Sequence, residues 1–401
     1  MHIIFACSEY PHEGRPTGGF GTYVYNLTKV LLETGHRVSI ICRGEKKEVV
    51  VNNNLAVYVL APMPSGLPKF ITLLSVKLIK RFFYFLDYPL FFSWAIYDCL
   101  LHEPELANVD IIEGGDFGGE LFFTLIFKSK FPSPIVIKLH TPSFLIRKYN
   151  EAGNNIFYFC MEAIEKFCMK KADALYSPTR SLAAITSRYI HRPIKEIIPY
   201  PQISTKQSNN LKKMKQMLLY VGKFQSKKGV FVLAKALPAV LKLYPKAKLY
   251  MIGPDTFEEN VSIKKLLIHK LQKNRTLRAV TFIPNLTQKQ LNKYYEKAEI
   301  LIVPSLWENY PNVIIEGLQH KCSVVATKVG GIPELVRSQR DALLVPPGNH
   351  FALAKAINKL LNNQNLRKRL SETGIKSLKT KLDTKLIYQK TITFYARSSK
   401  S

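Results

Sequence analysis

The chain has 401 residues, with 58 Lys and Arg against 29 Asp and Glu (a formal net charge of +29) and a hydrophobic fraction of 47%. That length suffices for two ordinary domains, and that hydrophobicity excludes a disordered chain. The charge excess calls for a polyanionic partner: a nucleic acid, an anionic membrane face or a phosphorylated substrate. No C2H2 zinc pattern, basic zipper or aromatic–glycine RNA-binding signature is present, which weighs against nucleic acid.

In chain order, "HIIFACS" predicts a strand, followed by a loop holding "TGGFGTY" (residues 17–23). "YVYNLTKVLLETGH" carries apolar residues at helical spacing and stops at Gly35, a favourable C-cap. "RVSIICR" is the next strand, and "VDIIEGG" (109–115), "PIVIKLHTP" (134–142) and "ADALYSPT" (172–179) are further ones. Helix-like segments fall between them, an alternation that implies a parallel sheet with right-handed crossovers.

Residues 67–101 form a cationic, aromatic-rich stretch interrupted by Lys77, Lys80, Arg81 and Asp87, too charged to span a bilayer. It reads either as a segment lying on an anionic membrane surface or as a pair of core helices with snorkelling lysines. The start "MHIIFACSEYPH" lacks the basic opening of a signal peptide. The six cysteines (Cys7, Cys42, Cys99, Cys160, Cys168, Cys322) form no C-x-x-C pair, so buried reduced thiols in a cytoplasmic protein are expected, docked peripherally on the inner face of the plasma membrane if the basic segment serves that purpose.

Residues 197–216 turn polar and charged after two prolines, as an interdomain linker would, with a modest lysine cluster at 206–215. A second alternating series follows, with strands at "MLLYVG", "KLYMIGP", "VTFIP", "ILIVPS", "SVVATKV" and "ALLVPP". The expected organisation is an α/β protein of two doubly wound domains facing across a cleft, residues 1–200 and 217–379, with a terminal helix at 380–401 packing back on the first.

Three strand-to-helix junctions of the second half carry the chemistry: "YVGKFQSKKGV", "SLWENYPNVIIEGLQ" and "TKVGGIPELV". Such junctions line one edge of a parallel sheet, where open α/β sheets bind ligands. Lys223 and Lys228 beside a helix start offer a diphosphate point charges and free backbone donors. Glu308 falls in a loop, Pro311 suits the first turn of a helix, and Glu316 lies within it, where a carboxylate can accept from the vicinal hydroxyls of a ribose. Ordinary βα units with solvated glutamates are the competing reading, and Glu334 reads as a capping charge. No two aspartates are separated by one residue, so the D-x-D device for a divalent ion is missing and metal-independent chemistry is expected. No pair of catalytic carboxylates emerges, which disfavours a glycosidase.

The pieces "TGGFGTYV", "KLHTPSFL", "YSPTRSLA", "IIPYP", "VGKFQSKKGV", "ENYPNVIIEG" and "GGIPELV", in this order over nearly the whole chain, resemble glycosyltransferase family 4 (glycosyl transferases group 1), retaining enzymes of the GT-B fold. The resemblance implies a hexosyltransferase-type enzyme that needs no cofactor and takes a UDP- or GDP-sugar donor. It places Glu316 on the ribose, Glu308 at the donor sugar, and Lys223 and Lys228 on the diphosphate. The backbone around Asn309, Tyr310, Pro311, Asn312 and Val313 caps the distal phosphate, with Gly19 and Phe20 approaching from the first domain. Lys223 departs from the family's usual arginine, keeping the charge but losing the bidentate fork. His140 matches the histidine that faces the reacting sugar, and Glu113 and Asp116 are acceptor-side candidates. The expected acceptor is a glycan or a lipid-linked acceptor in cell-surface polysaccharide or lipopolysaccharide synthesis; because the acceptor domain carries the basic segment, a polyprenyl diphosphate-sugar or a lipopolysaccharide core on an anionic membrane surface would account for both features. An epimerase or a phosphorylase would share two Rossmann-like domains, but the first has no need of the lysine and E-x7-E set and the second needs a cofactor lysine context absent here. A basic membrane- or nucleic-acid-binding protein without transferase activity is the reading from another class.

Overall fold

The computed structural model describes residues 1–11, 18–61, 87–150, 156–202 and 213–399. The chain divides into two compact units: residues 1–147, 153–203 and 382–401 form unit 1, and residues 148–152 and 204–381 form unit 2.

Unit 1 is built on eight strands: β1 (His2–Ala6), β2 (Arg37–Arg43), β3 (Glu48–Asn52), β4 (Leu55–Leu60), β5 (Ile111–Gly115), β6 (Ile135–Lys138), β7 (Ala174–Ser177) and β8 (Glu196–Ile197). They lie in the order β3-β4-β2-β1-β5-β6-β7-β8, all parallel except the β3–β4 hairpin. β1 and β5 are buried along their whole length, as strands covered on both faces must be: "HIIFA" is apolar after its first residue, while "IIEGG" buries Glu113 with its apolar start. The order reverses between β1 and β5, so the loops following these two strands splay apart and leave a crevice. The helix Thr384–Ser398 belongs to this unit, and Tyr388 at its outer part reaches His36 Nε2 at 2.8 Å.

Residues 62–86, including Lys69, Lys77, Lys80 and Arg81, lie outside the described residues. The helix Ser93–His102 at the end of that stretch buries Ala95, Ile96, Tyr97, Cys99 and Leu100. Trp94 meets Phe123 edge-on at 5.0 Å, and Tyr97 lies 5.0 Å from Phe127. This part of the amphipathic stretch therefore spends its apolar face on the core. Among the described residues no helix is long and apolar enough to cross a membrane. Five cysteines are buried and Cys160 is exposed, all of them free thiols.

Unit 2 has β9 (Met217–Val221), β10 (Lys248–Ile252), the small hairpin β11–β12 (Phe257–Glu258 and Val261–Ser262), β13 (Val280–Ile283), β14 (Ile300–Val303), β15 (Ser323–Thr327) and β16 (Leu343–Val345). The six-stranded sheet runs β13-β10-β9-β14-β15-β16, entirely parallel. Renumbered in order of appearance this is 3-2-1-4-5-6, the doubly wound dinucleotide-binding order, whose topological switch point falls between β9 and β14. Its core joins Leu218, Tyr220, Leu249, Met251, Ile300 and Ile302 to the helices Val230–Leu243 and His350–Asn362.

Candidate active site

The three sequence junctions of unit 2 meet at its sheet edge, two of them at the switch point and the third packed against the Glu308 backbone. The turn after β9 carries Lys223, Lys227 and Lys228, and the loop after β14 carries Ser305 to Pro311. Lys228 Nζ donates to Glu308 Oε1 at 2.6 Å, and Ser305 Oγ donates to the same oxygen at 2.9 Å. Glu308 is buried and Lys228 half-buried, so the pair spans the crevice at its rim.

Two glycines make this approach possible. Gly229 has φ +71°, and a Cβ there would stand 1.9 Å from the Pro304 carbonyl oxygen. Gly330, φ +50°, would put a Cβ 1.8 Å from the Glu308 carbonyl oxygen, and Gly331 N–H donates to that oxygen at 3.0 Å. Only residues without a side chain let the three loops pack backbone on backbone while accepting left-handed φ.

The site is strongly positive. Burial pushes the Lys227 ammonium down to about 8, and the Lys228 and Lys223 charges add to that push while Glu308 opposes it. Lys223 points outward, exposed. A dianionic group entering here would relieve the crowding of three ammonium groups. Two buried polar atoms of the same loop and helix, Trp307 Nε1 and Asn312 Oδ1, have no hydrogen-bond partner among the described residues. Unpaired buried polar atoms are costly, and at a crevice these two offer a polar ligand a donor and an acceptor.

The helix after the loop is Asn312–Gln319, with Pro311 as its N-cap residue at ψ 97°. Pro311 thus precedes the first turn rather than lying within it; an extended ψ at the cap is what turns the chain into the helix. Asn309, Tyr310, Asn312 and Val313 flank that start, with Ile314 N–H donating to the Pro311 carbonyl at 3.0 Å. Glu316 is half-buried, and its Oε2 accepts from the Tyr295 hydroxyl at 2.7 Å. Burial raises the Glu316 carboxyl above its ordinary range, opposed by that hydrogen bond. Tyr295 stacks on His320 with ring centroids 5.8 Å apart. Sequence reasoning missed Tyr295, although it is the only buried residue of the helix Gln288–Lys297. The third junction places Glu334 in the first turn of the short helix Ile332–Leu335, as a capping charge would be.

In unit 1, Gly19, Phe20 and His140 converge. A Cβ on Gly19 would lie 2.9 Å from His140 Cε1, and the Phe20 ring stands 5.8 Å from the imidazole. The carboxylate of Glu9 lies against Gly18, where a Cβ would be 2.1 Å from Oε2, so the helix Gly19–Glu33 already has an anionic group at its start.

Glu113 and Asp116, the acceptor-side candidates, are both 0% exposed and are held by partners within unit 1. Glu113 is enclosed by phenols: Tyr23 donates to Oε1 at 2.8 Å, and Tyr176 and Tyr395 each donate to Oε2 at 2.5 Å. Burial raises its pKa, and the three hydroxyls pull it back. Lys138, equally buried, is lowered to about 7 by burial against the opposing charge of Glu113. Asp116 Oδ1 accepts from the backbone N–H of His140 at 2.9 Å and of Thr141 at 3.3 Å, so Asp116 acts on the site by fixing the His140 backbone.

A second consequence concerns Glu120, also buried, whose Oε1 accepts from Ser8 N–H at 3.1 Å while Oε2 has no partner among the described residues. Burial pushes its carboxyl up to about 7, with the charges of Glu9 and Asp116 adding. An acid raised on folding binds more protons in the folded state between the unfolded value, near 4, and about 7. Stability contributed by the protonated form is therefore lost as pH rises through that window. Glu120→Gln is expected to melt increasingly above the wild type from pH 5 to pH 8, by up to about 1.4 kcal/mol per pH unit at the steepest. A melting difference that stays flat over this range would show that the carboxylate ionises without penalty.

Two families match the chain, one in each half. Residues 202–377 match the family described as Glycosyl transferases group 1, and residues 17–199 match Glycosyltransferase Family 4. An uncharacterised glycosyltransferase of Methanocaldococcus jannaschii is 27% identical over 261 residues, covering 62% of this chain and 64% of that protein. A D-inositol 3-phosphate glycosyltransferase of Mycobacteroides abscessus is 32% identical over 149 residues, 36% of this chain and 32% of that one. The chain spans about half the length of the curated relatives it matches. Among solved structures, sucrose-phosphate synthase from Thermosynechococcus elongatus superposes with a TM-score of 0.78 at 21% identity, covering 99% of this chain and 98% of the other. TarM of S. aureus, solved with UDP, superposes at 0.72 and 12% identity, covering 98% and 99%.

Proposed function

We propose, from the premise that the chain belongs to the group 1 glycosyl transferases with a family 4 N-terminal half, that it moves a hexose from a nucleotide-diphosphate sugar to a hydroxyl of a glycan or lipid-linked glycan, with retention at the anomeric carbon. The observation that carries this reading is the Lys228–Glu308 pair at the switch point of unit 2, with Glu316 one helix further on. A uridine or guanosine diphosphate is the donor chemistry that fits; UDP is what the TarM structure holds.

In this reading the ammonium groups of Lys223 and Lys228, with the backbone N–H groups at the start of Asn312–Gln319, neutralise the diphosphate. Glu316 takes the ribose hydroxyls through Oε1, because Tyr295 already occupies Oε2. Glu308 and His140 serve the hydroxyls of the transferred sugar. The anomeric C–O bond to phosphate breaks, the acceptor oxygen bonds to the same face, and a leaving phosphate oxygen takes the acceptor proton. Lysine charge replaces a divalent ion, so no metal enters the scheme. The +29 net charge favours an acceptor presented on an anionic membrane surface on the cytoplasmic side.

Calorimetry with UDP-, GDP-, ADP- and TDP-sugars tests the donor. One of them is expected to bind, and Glu316→Ala to weaken that binding by about 1–3 kcal/mol, the scale for hydrogen bonds to a charged acceptor. Unchanged affinity in the variant would remove Glu316 from the nucleotide site. Binding of none of the four would remove the transferase reading itself.

A further inference from the structure

The His140 ring is held from behind by a network that the proposed transfer leaves unused. Its Nδ1 is in hydrogen-bond contact with the Tyr200 hydroxyl, and the two rings stack 5.8 Å apart at 21°. Tyr200 is 1% exposed and packs against Tyr23 at 4.9 Å. Behind it lies Lys138, whose Nζ donates to the Ile198 carbonyl at 2.7 Å and sits 4.0 Å from the Tyr176 ring, 4.7 Å from Tyr23 and 5.2 Å from Tyr200. In front, the Cε1–Nε2 edge of His140 runs along Gly19, where a Cβ would come within 3.1 Å of Nε2. Asp116 fixes the backbone of the same residue.

We propose that Tyr200 is a positioning residue for His140: its hydroxyl donates to Nδ1, holding the imidazole as the tautomer that carries its proton on Nε2, beside Gly19. The direction of the bond follows from the partners. A phenol is a better donor than acceptor, because the ring withdraws its oxygen lone pair, and an unprotonated imidazole nitrogen is a strong acceptor. A cation against the phenol ring draws off more density and strengthens the O–H as donor. The nitrogen that contacts a fixed neighbour sets what the other nitrogen can do. His140 then presents a hydrogen-bond donor, and not a base, on the Gly19 side. This consequence rests on the reading that His140 serves the transferred sugar; the tautomer itself does not.

The test uses the full chain labelled with 15N-histidine, the His140 signals being assigned by their loss in His140→Gln. Above the imidazole's titration range, the wild type is expected to show Nδ1 as the unprotonated and Nε2 as the protonated nitrogen. Tyr200→Phe, which keeps the stacked ring, is expected to show a mixture of tautomers. With whichever donor the calorimetric panel identifies, its kcat should fall about 10- to 100-fold, the scale for losing the outer partner of a functional imidazole, while donor affinity stays within threefold. A wild-type His140 protonated on Nδ1, or a tautomer unchanged in Tyr200→Phe, would overturn the proposal. The wild-type spectrum alone decides the first point, so a poorly folded variant does not shelter the idea. If no nucleotide sugar binds, the proposed function fails while the tautomer result stands or falls separately.

Discussion

Lys228→Ala is expected to lower turnover of the donor about 10²–10³-fold, the scale for removing one fixed group that stabilises developing charge, with only a small change in melting temperature. The side chain is half-buried and its partner Glu308 is buried, so the pair is screened less than a surface ion pair but is not sealed from water. Two losses act in the same direction. The proposed diphosphate loses one ammonium, and among the described residues Glu308 keeps the Ser305 hydroxyl to hold its orientation. Lys228→Arg restores the charge on a longer, planar group and should recover part of the rate. Lys223→Ala should cost less, because that side chain is exposed and its charge is diluted by solvent. If lysine charge stands in for a metal ion, turnover persists in excess chelator. Turnover within threefold of the wild type in Lys228→Ala would defeat the assignment. So would activity that disappears with chelator and returns with magnesium or manganese.

Much of this site was legible because parallel strands buried on both faces announce themselves. "ILIV" and "SVVAT" are continuous apolar runs, and the residues just after them are by necessity at one sheet edge. Lys228 and Glu308, 80 positions apart, could therefore be assigned to neighbouring junctions. The β3–β4 hairpin was not anticipated, although "EVVVNNNLAVYVL" carries its signal: an asparagine turn, with Asn53 at φ +50°, between two valine-rich runs. β3 is exposed at every position, so its valines give no burial alternation to read. Tyr295 and Tyr200 were missed for another reason. Their importance lies in which carboxylate or imidazole they touch across 21 and 60 residues, and periodicity says nothing about such pairings. The surroundings of Glu113 were hidden for the same reason. A glutamate at the end of a strand in a glycine-rich stretch suggests an open turn, and the three phenols that close over it come from positions 23, 176 and 395.

That enclosure sets the largest stability effect expected. Glu113→Ala should destabilise unit 1 by about 3–5 kcal/mol, since three buried phenol hydroxyls lose their acceptor at about 1–3 kcal/mol for each left unsatisfied. The carboxylate accepts from three phenols, and the Tyr23 and Tyr176 hydroxyls also meet each other at 2.6 Å. Its removal orphans buried hydroxyls and leaves the Lys138 ammonium, itself 0% exposed, with the Ile198 carbonyl but without its counter-charge. For a unit of this size each kcal/mol lowers the melting temperature by about 2–4 °C, so a fall of roughly 10 °C is expected. Tyr395 lies in the last helix, 282 residues from Glu113, so the loss should also loosen Thr384–Ser398, visible as faster amide exchange there than in β1. Glu113→Gln keeps the volume but turns one acceptor into a donor facing phenolic hydroxyls, and should cost about half as much. The decisive comparison is the double variant Glu113→Leu with Lys138→Met. Removing both charges together spares the chain an unpaired ion, so the pair should be less destabilised than the sum of its single changes by more than about 1 kcal/mol. Simple additivity would mean that the two side chains do not sense each other through the tyrosine cage, and a Glu113→Ala chain melting within about 2 °C of the wild type would mean that the phenols re-pair without the carboxylate.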